Sequence, residues 1–168
     1  QRQMCIRDSV SGGLDSTLAL LVAVKTFDQL GLDRKGIIGV TMPGLGTSNR
    51  TYNNSKEMLS LLGVTMRDIS IAEAALNPLR AIGHDGKTQD LTYENAQARE
   101  RTQVLMDLAG MEGTFVLGTG DLSELALGWC TFNGDHMSMY SINSSLPKSV
   151  IRIMADYIAR EGGYGIEL

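Results

Sequence analysis

Apolar and polar positions change period along this chain, and the changes come in a regular order. From Leu18 to Leu30 apolar residues recur densely enough for a helix, which Gly31 ends. Gly36 to Met42 (GIIGVTM) is a β-rich run stopped by Pro43 and Gly44. Tyr52 to Leu62 returns to helical spacing, with Met58, Leu59 and Leu62 on one face and Gly63 as its stop. Val64 to Ile71 has strand character, and Ala72 to Ile82 predicts a short helix containing Pro78. Gly83 to Leu91 is polar and glycine-containing, a loop. A long helix is expected from Thr92 to Ala109, burying Val104, Leu105 and Leu108. Thr114 to Gly118 (TFVLG) is the next buried strand, with a short helix near Asp121 to Leu127. Gly128 to Ser145 has no clear period and is expected to be a functional loop region. Pro147 opens a final amphipathic helix, with Val150, Ile151, Met154, Tyr157 and Ile158 on its apolar stripe.

This alternation predicts an α/β fold, a doubly wound parallel sheet with helices on both faces. No repeat, low-complexity tract or linker divides it, and 168 residues suffice for one core but not two ordinary domains. Gln1 to Ser9 (QRQMCIRDS) fits poorly, because Arg7 and Asp8 stand where a buried strand should end. The expectation is a non-native or disordered lead over 1–9 and a partial domain over 10–168 that lacks its first strand.

Composition narrows the class. At 43% hydrophobic and 20% charged the chain resembles soluble globular proteins, and a net charge of −4 argues against nucleic acid held by charge alone. The longest apolar run, Leu18 to Val24, is far below the roughly 20 residues a membrane span needs. Cys5 and Cys130, with His84 and His136, show neither zinc spacing nor a disulfide framework. A cytoplasmic protein without a membrane partner is expected.

The chemistry gathers first at Ser11-Gly12-Gly13-Leu14-Asp15-Ser16-Thr17, just before a helix. Small residues let the backbone approach an anion, and the helix start offers N–H groups with a favourable dipole. Asp15 cannot bind phosphate directly, so it suggests magnesium between carboxylate and phosphates. Locally, a Gly-Gly turn with Asp15 or Ser16 capping a helix describes the same residues. No Walker motif is present, and Gly44-Leu45-Gly46 and Gly118-Thr119-Gly120 both lack the third glycine of a dinucleotide fingerprint.

The loop pattern S-G-G-x-D-S-[ST] resembles that of the N-type ATP pyrophosphatases, with their adenine nucleotide alpha hydrolase-like, Rossmann-like fold. Three further blocks resemble NAD+ synthetases. They are Thr41-Met42-Pro43-Gly44, Leu91 to Arg101 (LTYENAQARER) and Gly118 to Thr131 (GTGDLSELALGWCT), completed by Asp135 and Leu146-Pro147-Lys148. Taken alone, the first is a Pro-Gly turn, the second a solvated charged face, and Asp121 with Glu124 a helix cap and its return partner.

The resemblance implies a reaction: deamido-NAD+, ATP and ammonia give NAD+, AMP and pyrophosphate through an adenylated carboxylate. It places Ser11 to Thr17, Met42, Thr119 and Lys148 on ATP, with Asp15 and Glu124 on magnesium. Asn95, Arg99, Glu124, Trp129, Cys130, Thr131, Phe132 and Asp135 fall on deamido-NAD+. Asp15, Glu124 and Lys148 are the catalytic candidates, and Arg101 faces away from Arg99, near Glu94. Ammonia-dependent relatives usually carry lysine where Phe132 stands, so Phe132 points to the glutamine-dependent branch. The resemblance also implies a homo-oligomer and a separate glutaminase domain preceding this one, supplying ammonia. Rival readings are a GMP synthetase-like amidation or an inactive nucleotide-binding module.

Overall fold

The alternating pattern resolves into one parallel sheet covered on both faces, in a computed structural model that describes residues 4–6, 13–46 and 49–161. The strands are β1 (Met4–Ile6), β2 (Ile37–Thr41), β3 (Thr65–Asp68), β4 (Phe115–Gly118) and β5 (Tyr140–Ser141). Their spatial order is β3-β2-β1-β4-β5, parallel at every pairing. The helices are α1 (Leu14–Gln29), α2 (Asn49–Leu61), α3 (Ala72–Ala81), α4 (Leu91–Glu112), α5 (Leu122–Leu127) and α6 (Lys148–Glu161).

The sheet's two faces are read from β2. Ile37 joins Leu18, Leu21 and Val24 of α1, Leu59 of α2 with Leu62 just beyond its end, and Ile151 and Ala155 of α6. Ile38, Val40 and Met42 join Ile71 and α4's Leu105, Leu108 and Ala109 on the other side. β2 is buried throughout because helices cover both faces, and each fully buried Leu or Ile contributes about 1.5–3 kcal/mol. Gly39 makes one helix contact possible, since a Cβ there would lie 2.2 Å from Leu59 Cδ2.

Helix ends follow local chemistry. Asp90 caps α4 by accepting from Tyr93 N at 2.9 Å, and Gly113, at φ +65, ends it. These caps make α4 longer than its apolar stripe suggests. α1 likewise begins at Leu14, one turn before the apolar run, with Thr17 N donating to Gly13 O at 3.0 Å. α3 keeps Pro78 inside it because Ala75 and Leu79 are buried.

Four sequence expectations are corrected. The first strand is present: Met4–Ile6 pairs with both β2 and β4. A gap between those strands would leave ladder groups unpaired, and backbone pairing needs only three residues of extended chain, whatever Arg7 and Asp8 prefer. The functional loop region contains β5, too short for any period to reveal. Tyr157 is exposed, and the buried stripe of α6 runs through Ile151, Ala155, Ile158 and Ala159. Val104 is only half-buried.

Candidate active site

Strand order reverses between β1 and β4: one leads outward to β2, the other to β5. At such a switch point the connecting loops part and leave a crevice at the carboxyl ends of the strands. Residues 13–15, 119–121 and Asn143 converge there, joined by Lys148 at the start of α6. Ser11 and Gly12 lie outside the described residues. Gly13 caps α1 with extended backbone and no side-chain cap. Ser16 Oγ donates back to Gly13 O at 2.9 Å, and both Ser16 and Thr17 are buried.

Asp15, Asp121 and Glu124 bring carboxylate oxygens within 4.8 Å of one another. Lys148 Nζ stands among them, 2.5 Å from Asp15 Oδ2, 2.9 Å from Asp121 Oδ2 and 3.4 Å from Glu124 Oε1. Burial pulls the Lys148 pKa down, but the hydrogen bond it donates to Asp15 and its pairing with the Asp121 carboxylate outweigh this and hold the value above the usual lysine range. Lys148 therefore stays charged at neutral pH.

Asp121 is completely buried. Its Oδ1 accepts from Glu124 N at 2.8 Å while Glu124 Oε2 accepts from Asp121 N at 3.2 Å, a reciprocal capping box. Its Oδ2 is at ion-pair distance from Lys148 without the alignment of a hydrogen bond. Asp121 Oδ2 and Asp15 Oδ1 are thus buried without hydrogen-bond partners. Burial raises the Asp121 pKa, yet Lys148 and the N–H groups of Glu124 and Ser123 bring it below the usual value. That pairing stabilises the fold at neutral pH and is lost as pH falls through the lowered pKa.

The cluster is held rigidly from behind. Asn143, fully buried, donates through Nδ2 to Asp15 O and Thr119 O, both at 3.0 Å, tying the start of α1 to the end of β4. Lys148 N donates to Ser123 Oγ at 3.2 Å, and Leu122 N to Leu146 O at 3.0 Å, locking α6 onto α5. Sequence reasoning took Asp121 only as a cap and missed Asn143. Asp121 was visible as the first of two acids in GTGDLSE; Asn143 carried no sequence signal.

Met42 directly follows β2 at the same carboxyl edge, its side chain buried. Gln97, also missed, accepts from Leu45 N at 2.8 Å. A Cβ on Gly44 would lie 2.4 Å from Gln97 Oε1 and 2.9 Å from an Arg101 terminal nitrogen. Arg101 therefore reaches the 43–46 turn.

The second block meets the third. Thr131 Oγ1 donates to Asn95 Oδ1 at 2.7 Å, and Arg99 Nε donates to Phe132 O at 3.0 Å. Asp135 Oδ1 accepts from Thr131 N at 2.6 Å, folding residues 131–135 into a tight turn. Trp129 and Phe132 are 77% and 74% exposed, available to a ligand and not part of the core. Between this turn and the acidic cluster lies a cleft of about 30 Å3, lined by Gly118, Glu124, Cys130, Asp135, His136 and Ser141 among others.

Comparison with known proteins gives this geometry a lineage. A family model described as NAD synthase matches residues 8–160. The chain is 44% identical over 161 residues to the glutamine-dependent NAD(+) synthetase of Mycobacterium tuberculosis (strain ATCC 25618 / H37Rv), covering 93% of this chain and 24% of that protein. It is 46% identical over 154 residues to the enzyme of the same description from Mycobacterium leprae (strain TN), covering 89% and 23%. The chain thus spans about a quarter of the length of these curated relatives. Among solved structures, the glutamine-dependent NAD+ synthetase of Acinetobacter baumannii in complex with ADP superposes with a TM-score of 0.84. It is 29% identical, covering 95% of this chain and 29% of that one. The NMN synthetase of Francisella tularensis gives 0.81 at 27% identity, covering 94% and 61%. With matching sequence blocks on a matching doubly wound sheet, the chain belongs to the NAD synthase family.

Proposed function

We propose that this chain converts the nicotinate carboxylate of deamido-NAD+ to an amide, using ATP and ammonia and releasing AMP and pyrophosphate. The observation that carries this reading is the Asp15–Asp121–Glu124 cluster around Lys148, facing the 129–135 turn across the crevice. A carboxylate resists ammonia because its carbon is electron-rich and an oxide is a poor leaving group. When the carboxylate oxygen attacks the α-phosphorus of ATP, pyrophosphate leaves and a mixed anhydride forms. Ammonia then adds to the activated carbon and AMP departs.

The chain's task in this scheme is alignment and charge neutralisation. The start of α1 would direct backbone N–H groups at the pyrophosphate, with Ser11 to Thr17 forming the loop and Lys148 adding a positive charge. Met42 and Thr119 would flank the nucleotide, Met42 at its adenine. Asn95, Arg99, Asp135 and residues 129–132 would hold the dinucleotide, with Trp129 offering a flat face. Magnesium fits the acidic cluster: three hard oxygen donors converge, and two of their buried oxygens lack hydrogen bonds. Asp15, Asp121 and Glu124 would hold it, and when bound it would neutralise the charge developing on the phosphates.

Arg99 is a test of the dinucleotide assignment. Arg99→Ala is expected to raise KM for deamido-NAD+ by about tenfold or more while moving KM for ATP little, the loss of one charged hydrogen bond. Steady-state kinetics with each substrate varied would show this. Equal effects on both would assign Arg99 to holding Phe132 O alone.

The test of the whole reading is to supply ammonium or glutamine separately with ATP, magnesium and deamido-NAD+, and to follow NAD+ and AMP. Ammonium is expected to support synthesis and glutamine is not. Glutamine hydrolysis needs a nucleophile with a base and an oxyanion site. Cys130, a free cysteine, sits in the turn assigned to the dinucleotide. AMP formation in neither arm, with the fold intact, would favour a nucleotide-binding module. GMP synthetase-like chemistry would show as amidation of xanthosine monophosphate instead.

A further inference from the structure

The position of Lys148 conflicts with that of a metal. Its ammonium lies 2.5, 2.9 and 3.4 Å from oxygens of the same three side chains that would ligate magnesium. An ammonium and a divalent ion held by the same three side chains repel each other strongly inside a partly buried site. We propose that Lys148 is the resident counter-ion of the acidic cluster in the nucleotide-free protein, and that metal loading expels it toward the nucleotide phosphates. This rests on the magnesium reading of the cluster and adds an exchange to it.

Charge and anchorage both support the exchange. Three carboxylates without a cation would place three negative charges together, one of them on the fully buried Asp121. Lys148 reduces that to two, and a divalent ion in its place reduces it to one. The displaced ammonium then becomes free to meet the negative charge that arrives with ATP. Its backbone is tied by Lys148 N to Ser123 Oγ, and its side chain, held by the three carboxylates, is 45% exposed. A long side chain on a fixed root can swing without unfolding anything. The exchange links metal binding to phosphate capture, and it makes metal binding weak until a nucleotide offers Lys148 another anion.

The test is manganese binding to the nucleotide-free chain, read from the paramagnetic resonance signal of free manganese. Lys148→Met is expected to bind at least about tenfold more tightly than wild type, because no ammonium has to be displaced. Lys148→Arg, which keeps the charge, should remain as weak as wild type. With a non-hydrolysable ATP analogue present, the advantage of Lys148→Met should disappear. Adding Glu124→Gln to Lys148→Met should abolish the tight site, locating it in this cluster. Lys148→Gln replaces the methionine variant if that variant melts early. Equal or weaker manganese binding by the uncharged variants overturns the exchange, even if wild type binds manganese with the analogue. Absence of manganese binding in every form, with the analogue present, overturns the metal reading and the exchange with it.

Discussion

Asp15→Asn and Glu124→Gln are each expected to lower the rate of AMP release by about a thousandfold or more, equivalent to about 4 kcal/mol of transition-state stabilisation. Either change removes one anionic oxygen from a cluster whose members lie within 4.8 Å. The fold should survive both. The main-chain tie from Asn143 to Asp15 O does not involve the carboxylate, and an amide at position 124 still offers an oxygen to Asp121 N. Thermal melting and AMP release, measured on the same samples, would separate chemistry from unfolding. Near-normal turnover in both variants would remove these two residues from the metal assignment.

A second large effect is expected at Asp121, where two roles overlap in one carboxylate. Asp121→Ala removes the cap on Glu124 N and strips Lys148 of a buried partner. A loss of about 2 kcal/mol is expected, since Lys148 is partly solvated and the pair counts for less than a fully buried one. For a chain of this size that is a fall in Tm of roughly 4–8 °C. Asp121→Asn keeps a good capping side chain but loses the charge paired with Lys148, so its Tm should fall by less than that of Asp121→Ala. Both variants should nevertheless lose AMP release by about a hundredfold or more, if the buried charge serves the metal. Wild-type turnover in Asp121→Asn would confine Asp121 to the capping role.

The fold was largely legible because most elements carried their own period and their own stops. Gly36 to Met42 reads as a β-rich run and contains β2, and Met58, Leu59 and Leu62, expected on one helix face, are all buried. The site was legible to the extent that chemistry sits in short blocks. Asp15, Glu124 and Lys148 were named from three separated segments, and the structure brings them together. Asn95 and Arg99 were placed on one helix face, and both reach the 131–132 turn. The partner hidden by ambiguity was Asp121, whose capping role is so common that it concealed a second one.

What the sequence determined by itself is what depends on near neighbours: helix and strand periods, caps such as Asp90 and Gly113, and the family blocks. What only the tertiary structure decided depends on distant partners. Met4–Ile6 became a central strand because the slot between β2 and β4 selects for backbone hydrogen bonds, which side-chain patterns do not encode. Asn143 became the tie between Asp15 O and Thr119 O because the chain returns past β4 through β5, a strand of two residues with no period to read. Lys148 met three carboxylates from two other segments because strand order reverses between β1 and β4, and charges far apart in sequence interact only where the sheet makes their loops converge.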